Sequence, residues 1–259
     1  MVHIRSWEIV VDALRDSDSG MRDAVNASKH GVAVRTVRRW RRVYQHEQKA
    51  RGQTHTTVPC PRCHEVSIDE AAYAELFGWY LGDGYLIEAR RGVYTLSVFN
   101  DACYVELNLH IADLMRRVKP GGRPHIRRIT GCLSTSVGWK HWPCLFPQHG
   151  PGRKHERVLG MADWQWTIVR DHPADFLRGL FHSDGCRVRN WASRPVAGEL
   201  KRYDYPRWQF TNHSSEIRGW CCQALDLVGV PWRASNWKTS SVSTRAGVAR
   251  LDELIGLKS

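Results

Sequence analysis

One nine-residue pattern occurs twice in this chain, and it constrains the fold more than any other feature. Residues 76–84 read LFGWYLGDG and residues 177–185 read LRGLFHSDG. Each is an apolar stretch ending in an acidic residue and Gly. Each carries small residues four apart, Gly78 and Gly82 in the first copy, Gly179 and Ser183 in the second. Positions i and i+4 share one helix face, and small residues there let two helix backbones approach closely. The pattern predicts two helices packed through those faces, with Gly84 and Gly185 as left-handed C-terminal stops. Such a pair brings Asp83 and Asp184 side by side.

Two carboxylates held together repel, and each sits near the partially negative end of a helix. Ionising both is costly unless a cation neutralises them. A divalent metal does so, and it also activates water and stabilises charge building on a phosphate. The pair is therefore a candidate metal-dependent phosphodiesterase centre. A single apolar-Gly-Asp-Gly string would merely end an ordinary helix, but the segments that follow also correspond. SVFNDACYVELNLHIADLM (97–115) and QFTNHSSEIRGWCCQALDLV (209–228) both read as a strand ending near Asn, then an amphipathic helix. A repeat with conserved element order makes coincidence a poor explanation.

On these residues the chain resembles the single-chain LAGLIDADG homing endonucleases, over roughly residues 68–258. The resemblance implies an α+β fold of two pseudo-symmetric repeats (αββαββα). The motif helices would form the interface, and two β-sheets would saddle double-stranded DNA. It implies that the penultimate acidic residues, Asp83 and Asp184, are catalytic and bind a divalent cation such as Mg2+. At the sixth motif place Leu81 and His182 stand instead of Asp; that place is not the metal ligand. The family also sets a basic residue near the metal, for which Lys238 and Lys140 are the matches, Lys238 being the assigned catalytic candidate.

Lys plus Arg exceed Asp plus Glu by 38 − 26 = 12 in 259 residues, a basic excess that suits a polyanion. No apolar run is long enough to span a bilayer, and MVHIRSWEIV lacks the layout of a signal peptide. The expectation is a monomeric, cytoplasmic, nucleoid-associated protein without a membrane partner, its eight cysteines mostly reduced.

Residues 23–42, DAVNASKHGVAVRTVRRWRR, have helix-turn-helix spacing: Ala27 where helices cross, Gly31 at the turn, and Val34, Val37 and Trp40 (with Val43 or Tyr44) as the buried stripe of a second helix at about Ala33–Gln45. Arg35, Arg38, Arg39, Arg41 and Arg42 decorate the rest and are DNA-binding candidates. Ile9, Val10 and Leu14 predict a supporting helix. The segment resembles the helix-turn-helix of transposases and bacterial regulators. The domain reading is a helix-turn-helix domain over 1–47, a linker over 48–67, and an endonuclease-like domain over 68–259 with repeats at about 68–160 and 161–259.

Within that linker Cys60-Pro-Arg-Cys63 has zinc-knuckle spacing. With no second C-x2-C, the remaining ligands of a Zn2+ site stay open among His64, Cys144, His149 and His155. CLFPQHGPGRKHERV (144–158) reads either as a solvated connector or as a phosphate-contacting loop.

Alternation in the strand-like runs places Tyr94, Leu96 and Val98 on one face, and Trp208 and Phe210 on one face with Arg207 and Gln209 on the other. Arg187 and Arg189 flank Val188 and join Arg207 and Gln209 as DNA-binding candidates. Arg123, Arg127, Arg128, Lys140, Arg233 and Lys238 in the second hairpins are further ones, and 190–206 is a longer connection than its counterpart near Arg90–Gly92.

The favoured function is sequence-specific DNA binding with metal-dependent phosphodiester cleavage. The alternative is a non-cleaving transcriptional regulator: a bacterial sporulation-regulator family joins a LAGLIDADG-like domain to a helix-turn-helix, having generally lost the acidic pair that this chain keeps. An intein fits poorly, since the chain starts at Met, ends LKS, and shows no terminal His-Asn.

Overall fold

The computed structural model describes residues 6–47 (side chains to residue 42), 58–256 and 258. The chain divides into two compact units, Met1–Thr57 and Val58–Ser259. Among the described residues no helix is long and apolar enough to cross a membrane.

The first unit holds three helices, α1 (Trp7–Asp18), α2 (Asp23–Lys29) and α3 (Val34–Glu47). Val10, Ala13, Leu14, Ala27, Val37 and Trp40 are buried. Val10, Ala13, Leu14 and Trp40 form one small core with Ile9 packed against it, while Val34 of the expected stripe is half-buried and α3 starts and ends slightly later than expected. Val43 and Tyr44 have side chains outside the described residues. Gly31 sits at φ +60°, a left-handed conformation that a β-carbon disfavours, between α2 and α3. Asn26, fully buried, donates to the Ala13 carbonyl at 2.7 Å and to Ser17 Oγ at 2.9 Å, tying α2 to α1.

The second unit repeats one arrangement twice. After a short helix α4 (Pro61–His64) come α5 (Glu70–Leu81), a hairpin of β1 (Gly84–Glu88) and β2 (Tyr94–Asp101), α6 (Val105–Val118), a hairpin of β3 (His125–Ile129) and β4 (Cys132–Trp139), and the short α7 (Trp142–Leu145). The connector and α8 (Asp163–Asp171) lead to α9 (Pro173–Asp184), β5 (Gly185–Val196) with β6 (Glu199–Thr211), α10 (Ser215–Leu227), β7 (Arg233–Asn236) with β8 (Thr239–Val242), and α11 (Arg245–Ile255). The two antiparallel sheets share one strand order, β1-β2-β4-β3 and β5-β6-β8-β7. This is the two-repeat α+β architecture expected from the sequence.

The seam is α5 against α9. Residues 72–81 are all buried, so α5 is enclosed around its whole circumference and apolar there except at Glu75, which pairs with His110 at 2.7 Å and Arg178 at 3.2 Å. The Asp69 carboxylate caps its start by accepting from the Ala72 N–H at 3.1 Å. Pro173 opens α9, where a missing N–H costs nothing. A β-carbon on Gly78 would lie 2.5 Å from the Phe176 carbonyl oxygen, and one on Gly179 would lie 2.1 Å from that of Glu75. One turn on, a β-carbon on Gly82 would meet Ser183 Oγ at 2.1 Å. The small-residue faces meet as predicted, backbone on backbone. Around them Tyr80 stacks on Phe146 at 4.5 Å and Phe77 packs against Phe176 at 5.6 Å.

Gly84 and Gly185 correct the expected left-handed stops: neither has positive φ. Each is Gly because the chain turns from helix directly into strand, so that a β-carbon would lie 2.6 Å from the Tyr80 α-carbon or the Phe181 carbonyl oxygen. The segment 190–206 is also not a loop. β5 and β6 run as a long ribbon to a two-residue turn at Ala197 (φ +52°) and Gly198 (φ +83°), the mirror-image geometry that suits the strand twist.

Gly179→Ala places a methyl against the Glu75 carbonyl. The variant should be destabilised by about 1–3 kcal/mol or more, read as a lower urea midpoint. An unchanged midpoint would mean that the helices do not meet at Gly179.

Candidate functional site

The acidic residues stand where the two repeats converge. Asp184 is the last residue of α9, and Asp83 lies between α5 and β1. A β-carbon on Gly82 would lie 3.2 Å from Asp184 Oδ2, so the Asp184 carboxylate sits against the end of the first motif. Burial, and then the neighbouring Asp184 charge, push the Asp83 carboxyl up to about 6. Burial also raises that of Asp184, opposed by a hydrogen bond from Asn212. Asn212 donates through Nδ2 to Asp184 Oδ2 at 2.7 Å, from the end of β6. Its counterpart at the end of β2, Asn100, is buried and its Nδ2 has no partner among the described residues. The two halves are alike in layout and unlike in hydrogen bonding.

A lysine from the connector completes the site. The Lys154 ammonium donates to the carbonyls of Gly82 at 2.9 Å, Gly84 at 2.6 Å and Tyr80, and lies 5.0 Å from the Tyr80 ring. A cation at the C-terminal end of α5 meets carbonyls that have no helical partner. Burial lowers its pKa to about 7, against the pull of Asp184 and Asp83. Lys258 also acts on both carboxylates. Lys238 has its ammonium 5.8 Å from the Trp237 ring, and its carbonyl accepts from the Asn212 N–H at 3.0 Å. Lys140 is exposed after β4. Reading the connector as solvated or phosphate-facing missed Lys154, because a lysine among Gly, Pro and basic residues carries no periodic signal of the surface it meets. Asn212 had a signal: the repeated strand-ending Asn.

Asp184 opens on a cleft of about 1000 Å³ lined also by Gly82, Glu88, His149, Lys154 and Asn212. Two half-buried carboxylates, one fixed by an amide, offer hard oxygens of the kind Mg2+ and Ca2+ prefer. Burial is the main cause of both raised pKa values, and the Asp184 charge adds to it at Asp83. The donors fit a divalent cation.

The sheets separate the arginine candidates. Directly opposed residues of antiparallel strands share a face, and Arg187 lies opposite buried Trp208, Arg189 opposite Pro206. Both therefore lie on the Trp208 side, while Val188 shares the other face with Arg207. This overturns the expected grouping, which set Val188 inward. Arg187 instead pairs with Asp252 of α11 at 2.7 Å, an acceptor that also takes the Trp208 indole N–H at 2.8 Å. Arg189 lies 3.6 Å from Asp204. The open face carries Arg207, Gln209 and Arg233, with Arg207 donating to Ser235 at 2.6 Å. In the first sheet Arg127 lies opposite Ser134 on the corresponding face, and Arg128 lies opposite Leu133 on the other; Arg123 is exposed before β3.

In the first unit Arg38 and Arg41 both bond Asp23, at 3.0 and 3.1 Å. Arg35, Arg39 and Arg42 extend from α3 without such a partner among the described residues. Cys60 and Cys63 belong to the second unit rather than to a linker. There their sulfurs gather with Cys144 and His141. His64 accepts instead from the Cys60 N–H, His149 packs on Tyr94, and His155 on His213.

A carboxyl whose folded pKa exceeds its unfolded value holds a proton the unfolded chain has lost. In cation-free protein the stability contributed by the pair should therefore fall as pH rises from about 4 to about 6, while buried His182, lowered to about 4, acts in the opposite sense over that range. Asp83→Asn should flatten that fall. Added Mg2+ or Ca2+ should raise the melting temperature clearly at about pH 7.5 and far less at about pH 5, since protons and cation compete for the same oxygens. Equal cation effects at both pH values would exclude the acidic pair as the binding site.

No protein-family model and no curated protein matches the chain. Among solved structures, it is similar to the homing endonuclease I-DmoI in complex with DNA and Ca, at a TM-score of 0.47 and 14% identity over 72% of this chain and 89% of that one. It is similar to the LAGLIDADG meganuclease I-AabMI bound to uncleaved DNA, at 0.46 and 13% over 70% and 82%. The N-terminal LAGLIDADG domain of DUF199/WhiA gives 0.41 and 12% over 73% and 82%. LAGLIDADG proteins are thus what the chain is similar to, while the reading of its site rests on the geometry above.

Proposed function

We propose that this protein binds double-stranded DNA and cleaves phosphodiester bonds with a divalent cation held by Asp83 and Asp184. The observation that carries this reading is the convergence of two half-buried carboxylates at the seam, both with raised pKa, beside an open cleft. A bound cation would supply an activated water and neutralise charge at the scissile phosphate. The remaining work falls to this chain. Asn212 orients the Asp184 carboxylate through Oδ2. Lys154 braces the end of α5 and adds positive charge beside the acids. The close approach at Gly78 and Gly179 holds the two carboxylates in mutual register.

Arg207, Gln209 and Arg233 on the second sheet's open face, with Arg127 on the first, supply donors of the kind that read phosphates and base edges. Arg35, Arg39 and Arg42 of α3 supply a second set, and the net charge of +12 draws both toward a polyanion. The Arg-rich first unit also favours a second reading, a DNA-binding regulator that does not cleave.

Cleavage and gel shift on one DNA, with Mg2+ and with Ca2+, separate the two. Asp83→Asn or Asp184→Asn alone should lower Mg2+-dependent double-strand cleavage by more than the roughly 10–100-fold that losing an outer-shell partner costs, with DNA affinity unchanged or higher. A double Asn variant that cuts like the parent would remove the pair from catalysis, and a parent that binds without cutting would establish the regulator. Arg39→Ala with Arg42→Ala should lower the slope of log affinity against log salt by about two units. An unchanged slope would take α3 off the DNA.

A further inference from the structure

We propose that Cys60, Cys63, His141 and Cys144 form a structural zinc site that is separate from the acidic pair. Their ligand atoms all lie within 4.8 Å of one another. Cys63 Sγ lies 3.6 Å from Cys144 Sγ and 3.6 Å from His141 Nδ1, and Cys144 Sγ lies 3.7 Å from that nitrogen. Tetrahedral zinc, with Zn–S about 2.3 Å and Zn–N about 2.0–2.1 Å, requires ligand separations of about 3.5–3.8 Å. Those three distances fall within that range, and Cys60 Sγ completes the set within 4.8 Å of the other three.

The site consists of two matching halves. Cys60-Pro-Arg-Cys63 and His141-Trp-Pro-Cys144 each place two ligands three residues apart. In each the first ligand is the N-cap of a one-turn helix and the second lies within that helix. The Cys63 N–H donates to the Cys60 carbonyl at 3.2 Å and the Cys144 N–H to the His141 carbonyl at 3.0 Å. The two turns thus hold their ligand pairs by the same local bonds. The second half was hidden in the sequence because its first ligand is His, so no second C-x2-C appears.

The surroundings suit a metal centre. Cys60 is fully buried in the core, whereas Cys63 and Cys144 are accessible for loading. The His141 ring is held edge-on by Trp139 at 5.5 Å and by His64 at 5.7 Å, which fixes its orientation. All four groups would bind as neutral imidazole or thiolate, the soft and borderline set that selects zinc over Mg2+. The site would clasp the first turn of the second unit to the turn after β4, across 81 residues between Cys63 and Cys144, removing freedom from the unfolded chain as any long-range cross-link does.

The competing arrangement is a Cys63–Cys144 disulfide. It would need the sulfurs at about 2.05 Å and would leave Cys60 and His141 without a role. The test is elemental analysis of the full chain, purified under reducing conditions and dialysed against magnesium buffer. One zinc per chain is expected in the parent and in the Asp83→Asn/Asp184→Asn variant, and none in Cys63→Ser/Cys144→Ser. Removing the metal with a strong zinc chelator should lower the parent's melting temperature by several degrees. Because a serine variant that fails to fold would also lose the metal, Co2+ is used as a second probe on the parent. Exchange should give thiolate-to-cobalt charge transfer and intense tetrahedral visible bands, which His141→Cys should retain at shifted positions. Zinc absent from the parent, zinc kept by the serine variant, octahedral cobalt bands, or a Cys63–Cys144 disulfide in the reduced preparation would each overturn the site.

Discussion

The contact of α5 with α9 at Gly78 and Gly179 is the constraint on which the second unit depends. At those residues the helices touch through backbone atoms, closer than any side chain permits. This proximity fixes the spacing of the repeats, since each helix leads directly into the first strand of its own sheet. It also fixes where Asp83 and Asp184 emerge. A core of Tyr73, Phe77, Tyr80, Phe146 and Phe176 packs beside the seam, so the glycines set position while the aromatic residues fill the space around them.

The same proximity creates an electrostatic problem. Helix ends concentrate partial negative charge, and the seam adds two carboxylates at one point. The fold relieves it only in part. Lys154 takes up the carbonyls at the end of α5, and Asn212 takes up one oxygen of Asp184, yet among the described residues Asp83 receives no equivalent hydrogen bond, and burial with the Asp184 charge holds its carboxyl up at about 6. A site left short of positive charge is poised for a cation, and the difference between its halves comes from the connector and from which strand-ending Asn reaches its neighbour.

The paired sheets show how local pattern misleads. Alternation in a single strand gives two faces but not which of them is covered. Val188 looks inward-facing beside two arginines, yet the β5–β6 register puts it with Arg207 and puts Arg187 with Trp208. Asp252, from an element sixty-five residues away, gives Arg187 a partner there. A charged residue can occupy a helix-covered face when such an acceptor exists, and no window of sequence contains that information.

The sequence by itself determined what is periodic or repeated: the two motif helices and their small-residue faces, the duplicated element order, the buried stripe of α3 and the acidic pair. These follow from spacing along one chain, because helix and strand geometry translate spacing directly into faces. Tertiary structure alone decided what depends on distant partners. It brought Lys154 to the seam, joined His141 and Cys144 to Cys60 and Cys63, and gave Gly84 and Gly185 their steric rather than left-handed role. Each of these is set by which surfaces meet after the repeats pack, and that packing is a property of the whole core rather than of any segment.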